Sequence, residues 1–444
     1  MADLLEADFA LAAKDNLYRC LDKLLAHREA LFTFLKQRWQ DLFGITFDVL
    51  LYDLTSTYFE SDPPFPEGDK RQFGYSRDKR SDCVQVVLAL VVTPEGFPLG
   101  YEVLSGNTSD KTTLKAFLET IEQRDGKARR IWVMDRGIPT EATLKAMRAS
   151  DPPVQYVVGT PKGRLSALEA ALLKLDWQQA RPSVKVKLLA HEGETYVLVN
   201  SQARVSKERA IRRRKLKTLW ARLHELQAQR PSYETLLMKL GAAQEAAGRV
   251  WGLVEVSLPA PPATKKARQQ RVEFEFALKK EALRQIVKRE GRSLLRSNLP
   301  DTDGAKVWAF YLQLVEVEEA FKNLKGDLAI RPIFHQLERR IEAHILVCFL
   351  AYCVQVTLRH QLRAHAPGLT VRQVVGKLER MQLLDVHFPT TDGRELIFVR
   401  YTQPEPDQQL LLAQLNWELP PQSPPRITAK RELESGYRPW PNPS

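Results

Sequence analysis

Residues 131–160 read IWVMDRGIPTEATLKAMRASDPPVQYVVGT, and this stretch decides the fold class. Ile131 to Asp135 is a short apolar strand that ends in an acid. Thr140 to Met147 has helical spacing, and QYVVGT (155–160) is a second apolar strand. Strand, helix, strand is the unit of an α/β layer. Moving outward, TFDVLLYDLTSTYFE (46–60) favours a strand over about Val49 to Leu54, because β-branched and aromatic residues fit a pleated surface. After a Pro-, Gly- and charge-rich loop (61–82), CVQVVLALVV (83–92) is a strongly apolar strand. A TPEG turn then leads into FPLGYEVL (97–104), the third strand of a meander. Thr108 to Gln123 reads as a helix, with Ser109 or Asp110 available as its cap. Three antiparallel strands followed by alternation predict a mixed sheet with helices on its faces. No GxGxxG or GxxxxGK[ST] follows the first strand, which argues against a doubly wound nucleotide-binding fold.

The chain has 444 residues, 44% hydrophobic and 27% charged, enough for a sizeable core and unlike a disordered or fibrous protein. Lys and Arg exceed Asp and Glu by 66 to 54, a net +12 that favours a polyanionic partner. The four cysteines contain no CxxC pair, so neither a disulfide framework nor a zinc ribbon is supported. The first twenty residues interrupt their apolar stretches with charge and do not read as a secretory signal. Ile345 to Val356 is the most apolar segment and, taken alone, too short to span a bilayer. The expected setting is the cytoplasm.

Five regions are expected. Residues 1–46 are helical, and 47–165 hold the first part of a catalytic core. Residues 166–300 form a β-rich insertion with a basic helix, in which VKVKLLA (184–190) and ETYVLVN (194–200) look like paired strands. Residues 301–362 are two long helices parted at Arg331 and Pro332, and 363–444 are an extension with a flexible, Pro- and Ser-rich tail.

Two acids have similar settings: Asp53 ends VLLYD, and Asp135 ends IWVMD. An acid at the carboxyl end of a sheet strand points into the usual site region of an α/β layer, although Asp also favours loop starts. A third candidate lies in VWAFYLQLVEVEEAFKNLKGDL (307–328). At about 100° per residue, Tyr311, Leu314, Glu318 and Lys325 form one stripe, while Glu319 points away. Charges on a mainly apolar face either snorkel at a core edge or serve a site. Three carboxylates that converge need a hard divalent cation, Mg²⁺ or Mn²⁺, and two such ions about 3.5–4 Å apart suit phosphodiester displacement. Lys325, roughly 10.5 Å along the helix from Glu318, is placed to hold a neighbouring phosphate, and Tyr311 to position a strand.

These residues resemble the DDE transposases of bacterial insertion sequences (the IS4 superfamily, IS1634-like), in the branch with a Y-(2)-R-(3)-E-(6)-K pattern. The resemblance runs through YDLTSTYFE (52–60), FGYSRDKRSD (73–82), GFPLGYEVLSGNTSD (96–110), VMDRG (133–137) and YLQLVEVEEAFKNLK (311–325). It implies a ribonuclease-H-like core with Asp53, Asp135 and Glu318 as catalytic, metal-ligating acids. It also implies a mainly β insertion between Asp135 and the Glu-bearing helix, and a homodimer on element ends and target DNA. Leu314 stands where the pattern has Arg. Residues 1–46 read as a shortened counterpart of the family's end-binding region.

A wider DNA surface is expected from SQARVSKERAIRRRKLK (201–217), with eight Lys or Arg and one Glu. Arg212, Arg213, Arg214 and Lys215 are its densest part; a solvated charged helix is the alternative. Arg77, Lys79 and Arg80 lie in a loop suited to a flanking strand. Arg136 either contacts a phosphate or neutralises Asp135. Trp132, Cys348 and Cys353 read as core, and Trp220 packs its helix or stacks on a base. His335 and His344, nine residues apart, would face opposite sides of one helix. Two rivals share these features: a ribonuclease-H-like nuclease without strand transfer, and a non-catalytic DNA-binding remnant of a transposase.

Overall fold

A computed structural model of the chain describes residues 14–126, 128–260, 264, 269–300 and 303–427. The expectations for residues 1–13, for most of the loop at 259–271, and for the tail beyond 427 lie outside the described residues. The first elements are helices α1 (Lys14–Ala26) and α2 (Arg28–Phe43), then strands β1 (Val49–Phe59), β2 (Val84–Val92) and β3 (Pro98–Ser105). Alternation follows with α3 (Asp110–Asp125), β4 (Ile131–Met134), α4 (Glu141–Ala149), β5 (Gln155–Gly159) and α5 (Lys162–Leu173). Next come β6 (Gln178–Arg181), β7 (Val184–His191), β8 (Glu194–Ser201), α6 (Gln202–Gln229) and α7 (Tyr233–Ala247). Strands β9 (Val254–Ser257) and β10 (Glu275–Leu278) precede α8 (Lys280–Lys288) and β11 (Arg292–Ser297). The chain continues through α9 (Gly304–Leu312), α10 (Leu314–Lys325), α11 (Glu338–His365) and α12 (Val371–Leu378). It closes with β12 (Leu383–Pro389), β13 (Glu395–Tyr401), α13 (Pro406–Leu415) and β14 (Arg426–Ile427). The fold is a mixed parallel and antiparallel sheet flanked by helices, with a large β-rich insertion, consistent with a ribonuclease-H-like core.

The chain divides into two units, the first made of residues 1–47, 51–109 and 315–444, the second of 48–50 and 110–314. In the first, β3, β2 and β1 form the expected antiparallel meander. Every residue of β2 is buried, which explains why its sequence is apolar on both faces rather than alternating, with Gln85 alone polar and its amide donating to the Tyr75 and Gly106 carbonyls. Strand β1 runs on to Phe59 because LTSTYF keeps β-forming residues, so Asp53 lies mid-strand opposite Leu90 and not at a strand end. Rings of Phe32, Tyr101 and Phe349 meet at 4.7–5.7 Å and join α2, β3 and α11. Tyr352 donates to the Gly96 carbonyl at 2.7 Å, and Trp39 Nε1 to Thr357 Oγ1 at 2.9 Å.

Helix α11 is longer than the apolar segment read from sequence. By length and composition it could cross a membrane, yet 56% of its most apolar window is buried within the chain. Cys348 and Cys353 are buried on it, as expected. His335 precedes this helix instead of sharing it with His344, so the half-turn separation does not apply and the two imidazoles meet edge-on at 5.5 Å. The C-terminal extension holds α12, α13 and a hairpin of β12 and β13 joined by β14.

In the second unit the strand order is β4-β5-β11-β8-β7-β6. Strands β4 and β5 are parallel and joined by a crossover through α4, and the remaining pairs are antiparallel. Thr140 caps α4 by accepting from the Thr143 N–H. Trp132 is buried in β4, as expected. Strand β11, at the end of the 166–300 region, pairs with both β5 and β8, making the paired strands β7 and β8 a continuation of this sheet. Its buried Arg296 is gripped by Glu194 of β8 through two 2.6 Å hydrogen bonds. The insertion is also more helical than its strands suggested: Leu219, Leu223 and Leu226 of α6 pack with Leu236 and Leu240 of α7.

Candidate active site

Asp135 follows β4 directly and is exposed. The Tyr311 hydroxyl, at the end of α9, donates to Asp135 Oδ1 at 2.8 Å. Burial first, and then the negative charge of Asp135, push the Tyr311 phenol well above its ordinary range. The phenol is therefore a neutral donor at physiological pH, and it orients the carboxylate. The glycine that ends β5 makes this hydrogen bond possible. A Cβ on Gly159 would lie 2.6 Å from the Tyr311 hydroxyl oxygen and 3.2 Å from Arg136 Cβ. Tyr311, expected to position a DNA strand, has its hydroxyl engaged with an acid. Asp135, Arg136 and Tyr311 line a cavity of about 310 Å³ with Arg204, Arg289 and Arg292.

The single helix expected over 302–325 is two, because the helix breaks at Gln313 between α9 and α10. Angles counted from Tyr311 to Lys325 along one uninterrupted helix therefore do not hold. Leu314, at the pattern's Arg position, is 8% exposed and part of the apolar core, so no cation is available there. Glu318 is exposed on α10 and, among the described residues, forms no ion pair. Its neighbours on the helix are engaged: Glu316 and Glu319 meet Arg359 at 3.5 and 3.3 Å. Asp53 is half-buried in β1 of the same unit.

Lys325 does not project freely. Its ammonium bonds to Asp78 at 2.8 Å in a largely buried setting, and Arg331 pairs with the same carboxylate. Burial lowers the Lys325 pKa, and Asp78 opposes that shift. In the adjoining loop, the Arg77 N–H donates to Ser56 Oγ at 3.3 Å, Lys79 adopts a left-handed φ of 61°, and Arg80 pairs with Glu60 and Asp82. On α6, Arg213, Arg214 and Lys215 are exposed. Arg212 points inward to the buried Glu290, because the helix turns every fourth residue of the basic run toward the unit. Trp220 packs edge-on against Phe276 at 4.9 Å, the packing alternative.

The oxygen donors Asp53, Asp135 and Glu318 suit Mg²⁺ or Mn²⁺ by their chemistry. Among the described residues, however, no three His, Cys, Asp or Glu side chains are gathered so as to hold a metal ion. The structure brings together Tyr311 with Asp135 and Lys325 with Asp78; among the described residues it does not present a preformed three-acid centre. The residues that sequence reasoning missed are Gly159, Arg204, Arg289 and Arg292. Each is ordinary in its own segment and gains meaning only when β5, α6, α8 and β11 are brought together.

The mixed sheet with its flanking helices thus carries an acid directly after β4 and, beside it, a cavity lined by arginines. Residues 46–354 match the family model "Transposase DDE domain", and the chain belongs to that family. A comparison with curated proteins finds no match. Among solved structures, the chain is similar to one in "Cryo-EM structure of piggyBac transposase synaptic complex with hairpin DNA (SNHP)", at 9% identity and a TM-score of 0.37. That likeness covers 73% of this chain and 50% of the other, so the chain spans half the length of that relative. At such a score it has no bearing on function.

Proposed function

We propose that the chain is a transposase of a bacterial insertion sequence, from the branch with the Y-(2)-R-(3)-E-(6)-K pattern. It would cut phosphodiester bonds at the element's ends and join the freed 3′-hydroxyls to target DNA. The observation that carries this reading is the oriented carboxylate: Asp135 is held by Tyr311 within a cavity lined by arginines, in a chain of the DDE family. Asp53, Asp135 and Glu318 are the proposed acids, and the proposed cofactor is Mg²⁺ or Mn²⁺, two ions during catalysis. A divalent ion, when bound, would neutralise the acids and polarise a phosphate oxygen.

The chain's own residues supply orientation and charge. Tyr311 fixes Asp135, and Arg136 offers a phosphate an exposed guanidinium beside it. Lys325 with Arg331 anchors Asp78 in the 73–82 loop, which sets the pose of Arg77 and Lys79. The exposed Arg213, Arg214 and Lys215 extend a sequence-independent surface for double-stranded DNA. A homodimer would be needed to hold two ends at once.

The second reading, DNA binding without strand transfer, is favoured by the lack of a three-acid cluster among the described residues. Incubation with DNA and Mg²⁺ separates the two. Nicks with 3′-hydroxyl ends and joined products support the transposase, binding without cleavage supports the second reading, and cleavage without joining points to a nuclease.

A further inference from the structure

The cavity beside Asp135 is lined by more cations than the DDE motif accounts for. Arg136 comes from the β4 end, Arg204 from the first turn of α6, Arg289 from the end of α8, and Arg292 from the start of β11. Among the described residues, Asp135 and Glu169 are the only acids lining it, so arginines outnumber acids there by four to two. Arg204 is paired with Glu208 at 3.1 Å and Arg289 with Glu169 at 3.1 Å, both in partly exposed settings. Among the described residues, Arg136 and Arg292 pair with no acid. Unpaired guanidinium groups facing one concave space repel each other unless an anion sits between them.

The turn that carries Arg289 and Arg292 is rigidly held. Glu290 between them is 5% exposed and gripped by Arg209, at 3.2 Å, and by Arg212. The Gly291 N–H donates to Glu208 Oε2 at 3.0 Å, and the Gly291 carbonyl accepts from the Ser201 N–H at 3.1 Å. Gly291 has a φ of 72°, and a Cβ there would lie 2.2 Å from Val205 Cγ2. The inward side of the basic helix thus works as a scaffold: it fixes Glu290 and Gly291 so that the flanking arginines reach the cavity. Arginines fixed in this way spend little entropy on binding.

We propose that Arg292, together with Arg136, Arg204 and Arg289, forms a phosphate-binding subsite beside Asp135 that takes one backbone phosphate of the DNA substrate. This rests on the DNA reading above and adds to it a binding pocket supplied by the insertion. The subsite ignores base identity, since guanidinium forks recognise the diester oxygens. Arg212 acts through Glu290 and is a positioning residue.

The test uses the full chain and a double-stranded oligonucleotide, with affinity measured against salt concentration for wild type, R292Q and R292K. Removing the cation that neutralises one phosphate lowers the slope of log K against log salt by about 0.9. R292Q should show that decrease with an unchanged melting temperature, and R292K should recover most of the slope. A parallel titration of wild type and R292Q with inorganic phosphate asks whether the cavity prefers the free ion. Salt-dependent binding by wild type with an unchanged slope in R292Q overturns the subsite and leaves the DNA reading standing. No DNA binding by wild type overturns both. Stabilisation by inorganic phosphate that depends on Arg292, without any change in the DNA slope, overturns the assignment to a backbone phosphate.

Discussion

The Tyr311 hydroxyl donates a 2.8 Å hydrogen bond to Oδ1 of Asp135. A hydrogen bond to a charged acceptor contributes about 1.5–3 kcal/mol. Tyr311→Phe removes the donor and keeps the ring, so cleavage should fall roughly 10–100-fold while DNA affinity stays near wild type. Single-turnover cleavage beside a binding isotherm checks this; an equal fall in both would assign Tyr311 to DNA binding.

Gly159→Ala should reproduce that defect without touching either partner, because the new methyl would occupy space 2.6 Å from the hydroxyl oxygen. Since both changes break one hydrogen bond, the double variant Gly159→Ala/Tyr311→Phe should be little worse than either alone. Additive effects in a double-mutant cycle would show that Gly159 matters for another reason.

The pair of Lys325 and Asp78 predicts a pH effect. Asp78→Asn leaves a largely buried ammonium without its counter-charge, and breaking a buried pair costs about 3–5 kcal/mol. Burial places the folded-state pKa of Lys325 below its ordinary value of 10.5. A lysine lowered in this way binds its proton more weakly when folded, so stability rises with pH between the lowered value and 10.5. Denaturant melts of Asp78→Asn should therefore show partial recovery as pH climbs toward that value, and a flat profile would contradict the assignment.

Neighbours in the basic run should separate cleanly. Arg212→Ala leaves the buried Glu290 with Arg209 alone and should destabilise the fold by about 3 kcal/mol. Replacing the exposed Arg213, Arg214 and Lys215 should leave melting unchanged and lower the salt slope by about 0.9 for each DNA phosphate that these cations neutralise. Paired melting and salt-titration curves read both outcomes.

The sheet was legible because its strands carry their own signal. CVQVVLALVV is apolar but for Gln85 since both faces are covered, and IWVMD with QYVVGT bracket a capped helix. Strand β11 was not legible: RSLLRS has too few β-forming residues to stand out, and its place between β5 and β8 is a tertiary fact. The break at Gln313 was hidden because nothing in YLQLVEV interrupts helical spacing. His335 was misplaced because the start of α11 was read too early. At the site, the acids were named from their settings and from the family resemblance, whereas the Tyr311 hydrogen bond and the arginines from the insertion depend on side chains distant in sequence. The inward turn of Arg212 follows from helix phase against a buried partner, Glu290, that no local pattern announces.

The most direct measurement incubates the chain with the DNA that flanks its own coding sequence, in Mg²⁺ or Mn²⁺, and maps nicks and joined products. Wild type should nick at defined ends, leave 3′-hydroxyls and join them to a second duplex. Asp53→Asn, Asp135→Asn and Glu318→Gln should bind the same DNA without cutting it. Cleavage by any of these variants at the wild-type rate, or tight binding by wild type with no cleavage under either ion, would contradict the account.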